Sequence, residues 1–397
     1  MTTKKQIIVG TNALLLFFFS KCAYSFHSAS VGQHQRKLYL GASSAPETIN
    51  DAPFDHLWAT NALLFSSWTD GIVPNPAAKS FLKYSIAKKL LQDHINEKEN
   101  RLESSVKFSP CNGPNVDALN NLETADGLSK RGKRITKFDA ETHEVDSWVK
   151  EILQYIASDT GKVTVKLLYI PTAMYALNPQ SSNTPGKQRQ RARADGKKRR
   201  TQVMSLLQTL LSKECPNNDE ISVQTITLDL DDDSLKQPEG PEMSQFPTNG
   251  KEALSSSTVI YVEGGNTFWL QHCIEKGNYS QSIIDACTGE AGAVYCGKSA
   301  GAIVAGDEIS TATWKGWDDP SVVPSKETYD DWKGVQGFHF AENLSFFPHM
   351  SEDWTELVQE KMKGTESSNT CCLEENQVCC VIGESMNAFV VSGPDPQ

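Results

Sequence analysis

From Val145 onward the chain alternates between two hydrophobic periods. Trp148, Ile152 and Ile156 recur at helical spacing, and Val163 to Ile170 is a β-branched and Leu-rich run ending in Pro171-Thr172-Ala173. Val203, Leu206, Leu207, Leu210 and Leu211 return to the helical period, and Ile221 to Leu230 alternates as a strand closed by Asp231-Asp232-Asp233. Thr258 to Val262 predicts the next strand. Asn266 then caps a helix that runs through Leu270 and Ile274 to a glycine stop at Gly277. Ser282 to Cys287 predicts another helix and Ala293 to Cys296 a buried strand, with further strands at Leu344 to Pro348 and Val378 to Ile382. Strand and helix taking turns in this way predict a three-layer α/β fold, a mostly parallel doubly wound sheet with helices on both faces. Functional groups in such sheets gather at the carboxyl ends of the strands.

The first part of the chain is patterned differently. Asn61 to Ser67 predicts a first strand. Asn75-Pro76 supplies a cap and a first-turn proline for a helix carrying Leu82, Ile86 and Leu90 on one face. From about Asn96 to His143 the sequence turns polar, which predicts a surface insertion, partly disordered, within one domain spanning residues 58–397. Ahead of that domain, Lys4 and Lys5 precede an apolar stretch from Ile7 to Phe19 and then Ala23-Tyr24-Ser25, the pattern of a signal peptide over residues 1–25. Residues 26–57 follow as a transit peptide or linker, because Phe26 to Pro46 is Ser-rich, basic and free of acid. The pair resembles the bipartite presequence of algae with complex plastids; plain secretion and an uncleaved anchor are the alternatives. A mature form without a membrane segment is expected.

Composition narrows the partners. A 397-residue chain that is 39% hydrophobic and 22% charged can bury a large core, and its net charge of −11 argues against general nucleic-acid binding. The basic run Lys187 to Arg200 reads as a solvated helix face or loop, with an anionic-ligand patch as its alternative. Asp231 to Asp233 reads as a solvated turn, since no matching ligand set for a metal follows it. The doublets Cys371-Cys372 and Cys379-Cys380 would bridge in an oxidising compartment, but Cys379 and Cys380 lie inside an apolar run and read as core. No metal or cofactor is expected.

The candidate chemistry lies at Gly297-Lys298-Ser299-Ala300-Gly301, a G-x-S-x-G pattern between a predicted strand and a run of small residues that opens a helix. Flanking glycines allow a sharp turn, so the serine projects from its tip as a nucleophile. At a helix start, free N–H groups favour developing negative charge. A tightly packed Gly/Ser turn is the plainer reading. Upstream, Gly264-Gly265 follows a strand end and offers N–H donors for an anion or oxyanion; no G-x-G-x-x-G accompanies it, which speaks against a dinucleotide site.

A serine hydroxyl needs a general base. His27 and His34 lie in the presequence, His56, His94 and His143 in polar or marginal segments, and His272 inside the helix after Gly265. His339 alternates within Gly337 to Phe340 as a structural strand residue. His349 follows an apolar strand closed by Pro348, which makes it the candidate base, a turn histidine being the alternative. For the orienting carboxylate, Glu384 follows the strand Val378 to Ile382 directly. Glu352 and Asp353 are its rivals and also suit the first turn of a helix through Trp354 and Leu357. The order serine, histidine, acid differs from that of the α/β-hydrolases.

With these residues together, the chain resembles peptidase family S51, typified by dipeptidase E, the α-aspartyl dipeptidase, with cyanophycinase as a more distant relative. The resemblance rests on Gly264-Gly265-Asn266-Thr267-Phe268, on Gly297 to Ala302, on Pro348-His349, on Gly383-Glu384 and on Tyr169 to Ala173. It implies a fold similar to class I glutamine amidotransferase domains and a metal-free serine hydrolase. Ser299 would attack, His349 act as base and Glu384 orient it. Gly265 and Ala300 would supply the oxyanion N–H groups, and Gly264, Asn266 and Thr267 contact a small peptide substrate. Departures are Glu263 where a third glycine is common, Met350 in place of an aromatic, a shorter segment just before Glu384, and the insertion. Cyanophycinase-like hydrolysis of β-Asp-Arg material and a non-catalytic binding protein on the same scaffold are the competing functional expectations. Neither oligomeric state nor a residue for a P1 aspartate follows from the sequence.

Overall fold

The computed structural model describes residues 61–103, 143–215, 220–236, 247–289, 292–341, 343–364, 369–382 and 387–393. The expected signal peptide at 1–25 and transit segment at 26–57 lie outside the described residues, as does most of the expected insertion. Its first part is helical: the helix that opens at Pro76 continues to Glu103 as α1 (Pro76–Glu103), beyond the change to polar sequence at Asn96. No helix among the described residues is long and apolar enough to cross a membrane.

An eight-stranded sheet organises the domain from Phe54 onward. It is built from β1 (Ala62–Phe65), β2 (Val163–Ile170), β3 (Ile221–Asp229), β4 (Ser234–Lys236), β5 (Val259–Val262), β6 (Val294–Lys298), β9 (Gln377–Ile382) and β10 (Asn387–Ser392) in the order β10-β9-β1-β6-β5-β2-β3-β4. The five central strands, β1, β6, β5, β2 and β3, are all parallel; β9, β10 and β4 join as antiparallel edges. Parallel strands buried on both faces need near-continuous apolar sequence. The runs Ala62-Leu63-Leu64-Phe65 and Val259-Ile260-Tyr261-Val262 supply it, buried at every position.

Strand alternation divides these side chains between two cores. Leu63, Phe65, Leu167, Tyr169 and Tyr261 pack against α1, α2 (His143–Thr160) and α3 (Pro185–Ser212), through Phe81, Leu82 and Ile86, Val149, Ile152 and Leu153, and Val203 and Leu207. Leu64, Leu168, Ile170, Ile260 and Val262 pack on the other face, in the core that also holds Leu254 of α4 (Gly250–Ser255), Phe268 and Leu270 of α5 (Thr267–Lys276), Ile283 of α6 (Ser280–Cys287) and Val304 of α7 (Ala300–Val304). Helices therefore cover both faces of the sheet, giving the expected three layers. On the second face lies a separate parallel pair, β7 (Ser345–Pro348) and β8 (Thr370–Leu373), with α8 (Thr355–Gly364) between them in sequence.

Two local readings are refined by the structure and a third holds. The basic run falls inside α3, where Arg189 and Arg193 pair with Asp231 and Asp232 and Arg199 with Glu263, so part of its charge is neutralised within the domain. Residues 337–340 are not a strand. Phe338 and Phe340 both enter the core, and His339 at φ 56° meets Asp307 at 2.7 Å. The eight cysteines among the described residues are free thiols, and Cys379 and Cys380 are fully buried, which matches the core reading.

Candidate active site

Because β1, β2, β5 and β6 run parallel, their carboxyl ends share one edge of the sheet. Ser66, Ala173, Gly264-Gly265 and Ser299 all follow those ends. Ser299 turns the chain from β6 into α7 with φ 48° and ψ −106°, a conformation that few non-glycine residues adopt. Such strain persists only where the surroundings over-determine it. Here the Ser299 N–H donates to Phe65 O at 2.8 Å, and its carbonyl accepts from Ala302 and Ile303. Gly301 is indispensable to the turn: a Cβ there would lie 2.4 Å from Val262 O. The helix that follows is only five residues long, so electrostatic help for an anion comes from individual N–H groups such as Ala300's rather than from an extended helix dipole.

The Gly264-Gly265 turn lies against this elbow. A Cβ on Gly264 would come within 2.9 Å of the Ser299 Cβ. Gly265 takes φ 150°, and a Cβ there would lie 2.3 Å from Ala173 O, so the turn needs glycine for both conformation and space. Two of its N–H groups are already used: Gly264 donates to the Glu263 carboxylate at 3.2 Å and Asn266 to Ala173 O at 2.9 Å. The Gly265 N–H between them has no partner among the described residues.

His349 arrives from the other sheet. Its Nε2 lies 2.9 Å from Ser299 Oγ and its Nδ1 2.5 Å from Glu375 Oε1. The register of β7 on β8 explains this meeting. Pro348 stands opposite Leu373, so the residue after β7 and the second residue after β8 emerge side by side. The carboxylate on the imidazole is thus that of Glu375, in the turn between β8 and β9. Glu384, expected in this place, lies outside the described residues. Of its rivals, Glu352 and Asp353 lie in a 3-10 turn that leads into α8. Glu375 could have been found by the rule that selected Glu384: Glu374-Glu375-Asn376 also follows a strand end, between two apolar runs. The hydrogen bond from His349 holds the Glu375 carboxyl below the usual range, against partial burial that pushes it up.

His349 itself has φ 57°, and its peptide is gripped on both sides. The His349 N–H donates to Ser66 Oγ at 2.8 Å, and Ser66 in turn donates to Leu373 O at 2.9 Å. On the other side, Lys315 Nζ donates to Pro348 O at 2.7 Å and His349 O at 2.6 Å. Its ammonium lies 4.3 Å from the ring centres of Trp317 and Phe347. Burial among these rings pulls the Lys315 pKa down to about 8, with the Glu375 charge opposing the shift. Neither Ser66 nor Lys315 belongs to a short motif, and nothing local in the sequence marks them.

A half-open cleft runs from Ser299 and His349 past Thr267, Lys315, Trp317 and Asp318. Asp318 accepts the Thr267 N–H at 2.9 Å, and burial raises its carboxyl above the usual range, with hydrogen bonding to Thr267 pulling the other way. Thr267 therefore borders the cleft. The Asn266 side chain is committed elsewhere: it caps α5 by accepting from Trp269 N at 2.8 Å and donates to Asp319 O at 3.0 Å. Among the described residues the one group of carboxylates close enough to hold a metal, Asp229, Asp231 and Asp232, lies outside this cleft and is met by Lys236, Arg189 and Arg193.

A three-layer α/β domain with a serine, an imidazole and a carboxylate in hydrogen-bonded sequence has the layout of a serine hydrolase. Residues 241–389 match the model of Peptidase family S51. That matched stretch, which contains Ser299, His349 and Glu375, is that of a serine peptidase. A search of the curated proteins finds no match. Among solved structures, the chain is similar to a protein assigned as a peptidase E from Listeria monocytogenes EGD-e, with 16% identity and a TM-score of 0.34 over 61% of this chain and 94% of that one. It is also similar to a peptidase from an acI-B1 Actinobacterium, with 13% identity and a TM-score of 0.29 over 63% and 89% of the two chains.

Proposed function

We propose that this chain is a serine exopeptidase that hydrolyses short peptides through an acyl-enzyme, with Ser299, His349 and Glu375 as its triad. The observation that carries the reading is the unbroken relay from Ser299 Oγ to His349 Nε2 at 2.9 Å and from His349 Nδ1 to Glu375 at 2.5 Å. His349 takes the Ser299 proton as the oxygen attacks the peptide carbonyl. Glu375 keeps the imidazole in the tautomer that presents a bare Nε2, and stabilises the imidazolium that forms. The carbonyl oxygen becomes an oxyanion, met by the N–H groups of Gly265 and Ala300. His349 then protonates the leaving amine, and water repeats the sequence on the acyl-enzyme.

The cleft supports a small, charged substrate. It offers one carboxylate, Asp318, and one cation, Lys315, which has a donor left beyond the two given to carbonyls. That pair complements an amino terminus and an acidic side chain, in keeping with peptides that begin with aspartate. Labelling with a serine-directed fluorophosphonate, followed by assays on Asp-Leu and β-Asp-Arg, tests the proposal. Labelling and Asp-Leu hydrolysis are expected in the parent and absent from Ser299→Ala. Labelling that persists in Ser299→Ala would move the nucleophile elsewhere, and faster turnover of β-Asp-Arg would reassign the substrate.

A further inference from the structure

Glu263 directly follows β5, at the base of the Gly264-Gly265 turn, and its side chain is only 1% exposed. A buried carboxylate is costly unless it is paired and fully hydrogen-bonded. This one meets three hydrogen-bond donors and one further cation. Tyr169 Oη donates to Oε2 at 2.8 Å. Oε1 accepts from Arg199 at 3.0 Å and from the Gly264 N–H at 3.2 Å, and it forms an ion pair with Lys298 Nζ at 2.7 Å. Lys298 is the residue before Ser299, and Arg199 lies on α3, across the sheet from the cleft. The Glu263 carboxylate therefore ties the oxyanion turn to the nucleophile elbow and both to a covering helix. Burial and the adjacent Glu263 charge raise the Tyr169 phenol, which keeps it a donor.

The bond to Gly264 has a further effect. Three successive N–H groups follow β5 at 264, 265 and 266. Glu263 takes the first, Ala173 O takes the third at 2.9 Å, and the middle one is left over. Fixing the peptides on both sides fixes the direction of the Gly265 N–H between them. A glycine in place of Glu263 would leave the first N–H unfixed and Lys298 without its partner.

We propose that Glu263 is a positioning residue for catalysis: its carboxylate captures the Gly264 N–H and anchors it to Lys298 and Arg199, so that Gly265 presents a single oriented oxyanion donor beside Ser299. The inference rests on the serine-peptidase reading and adds to it a residue that touches no substrate. Misdirecting an oxyanion donor slows the chemical step without weakening ground-state binding. Glu263→Ala should therefore lower kcat on Asp-Leu about a hundredfold, the size expected for losing one such donor, while KM stays within about twofold. Glu263→Gln still offers Gly264 an amide oxygen and should recover most of that loss. Glu263→Asp, whose shorter stem withdraws the carboxylate, should resemble the alanine variant and carries the comparison if alanine prevents folding. Lys298→Met breaks an ion pair but keeps the Gly264 bond, so it should lower Tm while retaining more kcat than Glu263→Ala.

The inference is overturned if kcat simply follows Tm across these variants, if glutamine is no better than alanine and aspartate, or if KM rises with kcat unchanged. A parent that hydrolyses Asp-Leu alongside an equally active Glu263→Ala overturns this inference alone. A parent that is neither labelled nor active overturns the serine-peptidase reading with it.

Discussion

Ser299 stands at the end of a strand in the middle of the eight-stranded sheet, whereas His349 and Glu375 stand on a two-stranded sheet beside it. The serine side is fixed by backbone meeting backbone. Gly301 lets α7 close onto Val262 O, and Gly265 lets the Gly264-Gly265 turn close onto Ala173 O, with no room at either place for a methyl group. The histidine side is fixed by long-range side chains, Ser66 from the end of β1 and Lys315 from the loop after α7. Close backbone approach selects glycine at set spacings. A hydroxyl or an ammonium that reaches one carbonyl or one N–H leaves no such spacing behind.

Three perturbations probe this contrast. The largest effect is expected on the histidine side, from Glu375→Gln. An amide in that place favours the wrong imidazole tautomer and should cost about 10⁴-fold in kcat, while Glu384→Gln stays within about threefold. Steady-state assays of the two variants decide which acid serves His349. Next comes Gly265→Ala on the serine side. Its methyl group would collide with Ala173 O at φ 150°, so kcat should fall about 10²- to 10³-fold as the donor N–H is displaced. A variant as active as the parent would show that the tight approach is dispensable.

The smallest and most diagnostic effect is in the pH profile. Lys315 is charged in the folded protein below about pH 8 and loses its proton above that value. The ammonium's hold on the Pro348 and His349 carbonyls weakens accordingly, and kcat should decline on an alkaline limb near pH 8. Lys315→Met should lower kcat by about tenfold at pH 7, in line with a lost charged hydrogen bond, and abolish that limb. Stability moves the opposite way. The folded pKa lies below the free-lysine value of 10.5, so keeping this ammonium buried costs free energy below about pH 8, and the cost is relieved as pH climbs from 8 to 10.5. Melting curves of parent and variant across that range would register the difference.

How much was legible in sequence follows the same division. The run Val163–Ile170 predicts its strand to the residue, and Asn266 and Gly277 bound α5 where local chemistry places them, although the left-handed turn at its end is taken by Asn278 at φ 53° rather than by the glycine. The G-x-S-x-G elbow and the Gly-Gly turn are legible because their constraints are contained in five or six consecutive residues. Pairing His349 with an acid depends on the register of β7 on β8, and that register is a tertiary fact. A strand-end rule applied along the chain admits both Glu375 and Glu384, and nothing within either segment separates them. The segment at 337–340 fails for another reason. Phe338 and Phe340 alternate as a strand would, yet the core reaches both without a ladder, and His339 absorbs the turn at φ 56°.

Ser66 has one more implication. The stretch matching the peptidase family, residues 241–389, holds the whole relay but begins long after β1. The hydroxyl that seats the imidazole's peptide, and the carbonyl of Phe65 that receives the serine's N–H, both come from the end of β1, the first element among the described residues. An isolated C-terminal fragment would carry every reacting group without the means to aim them. During synthesis, β1 must wait for the last third of the chain before the site can assemble.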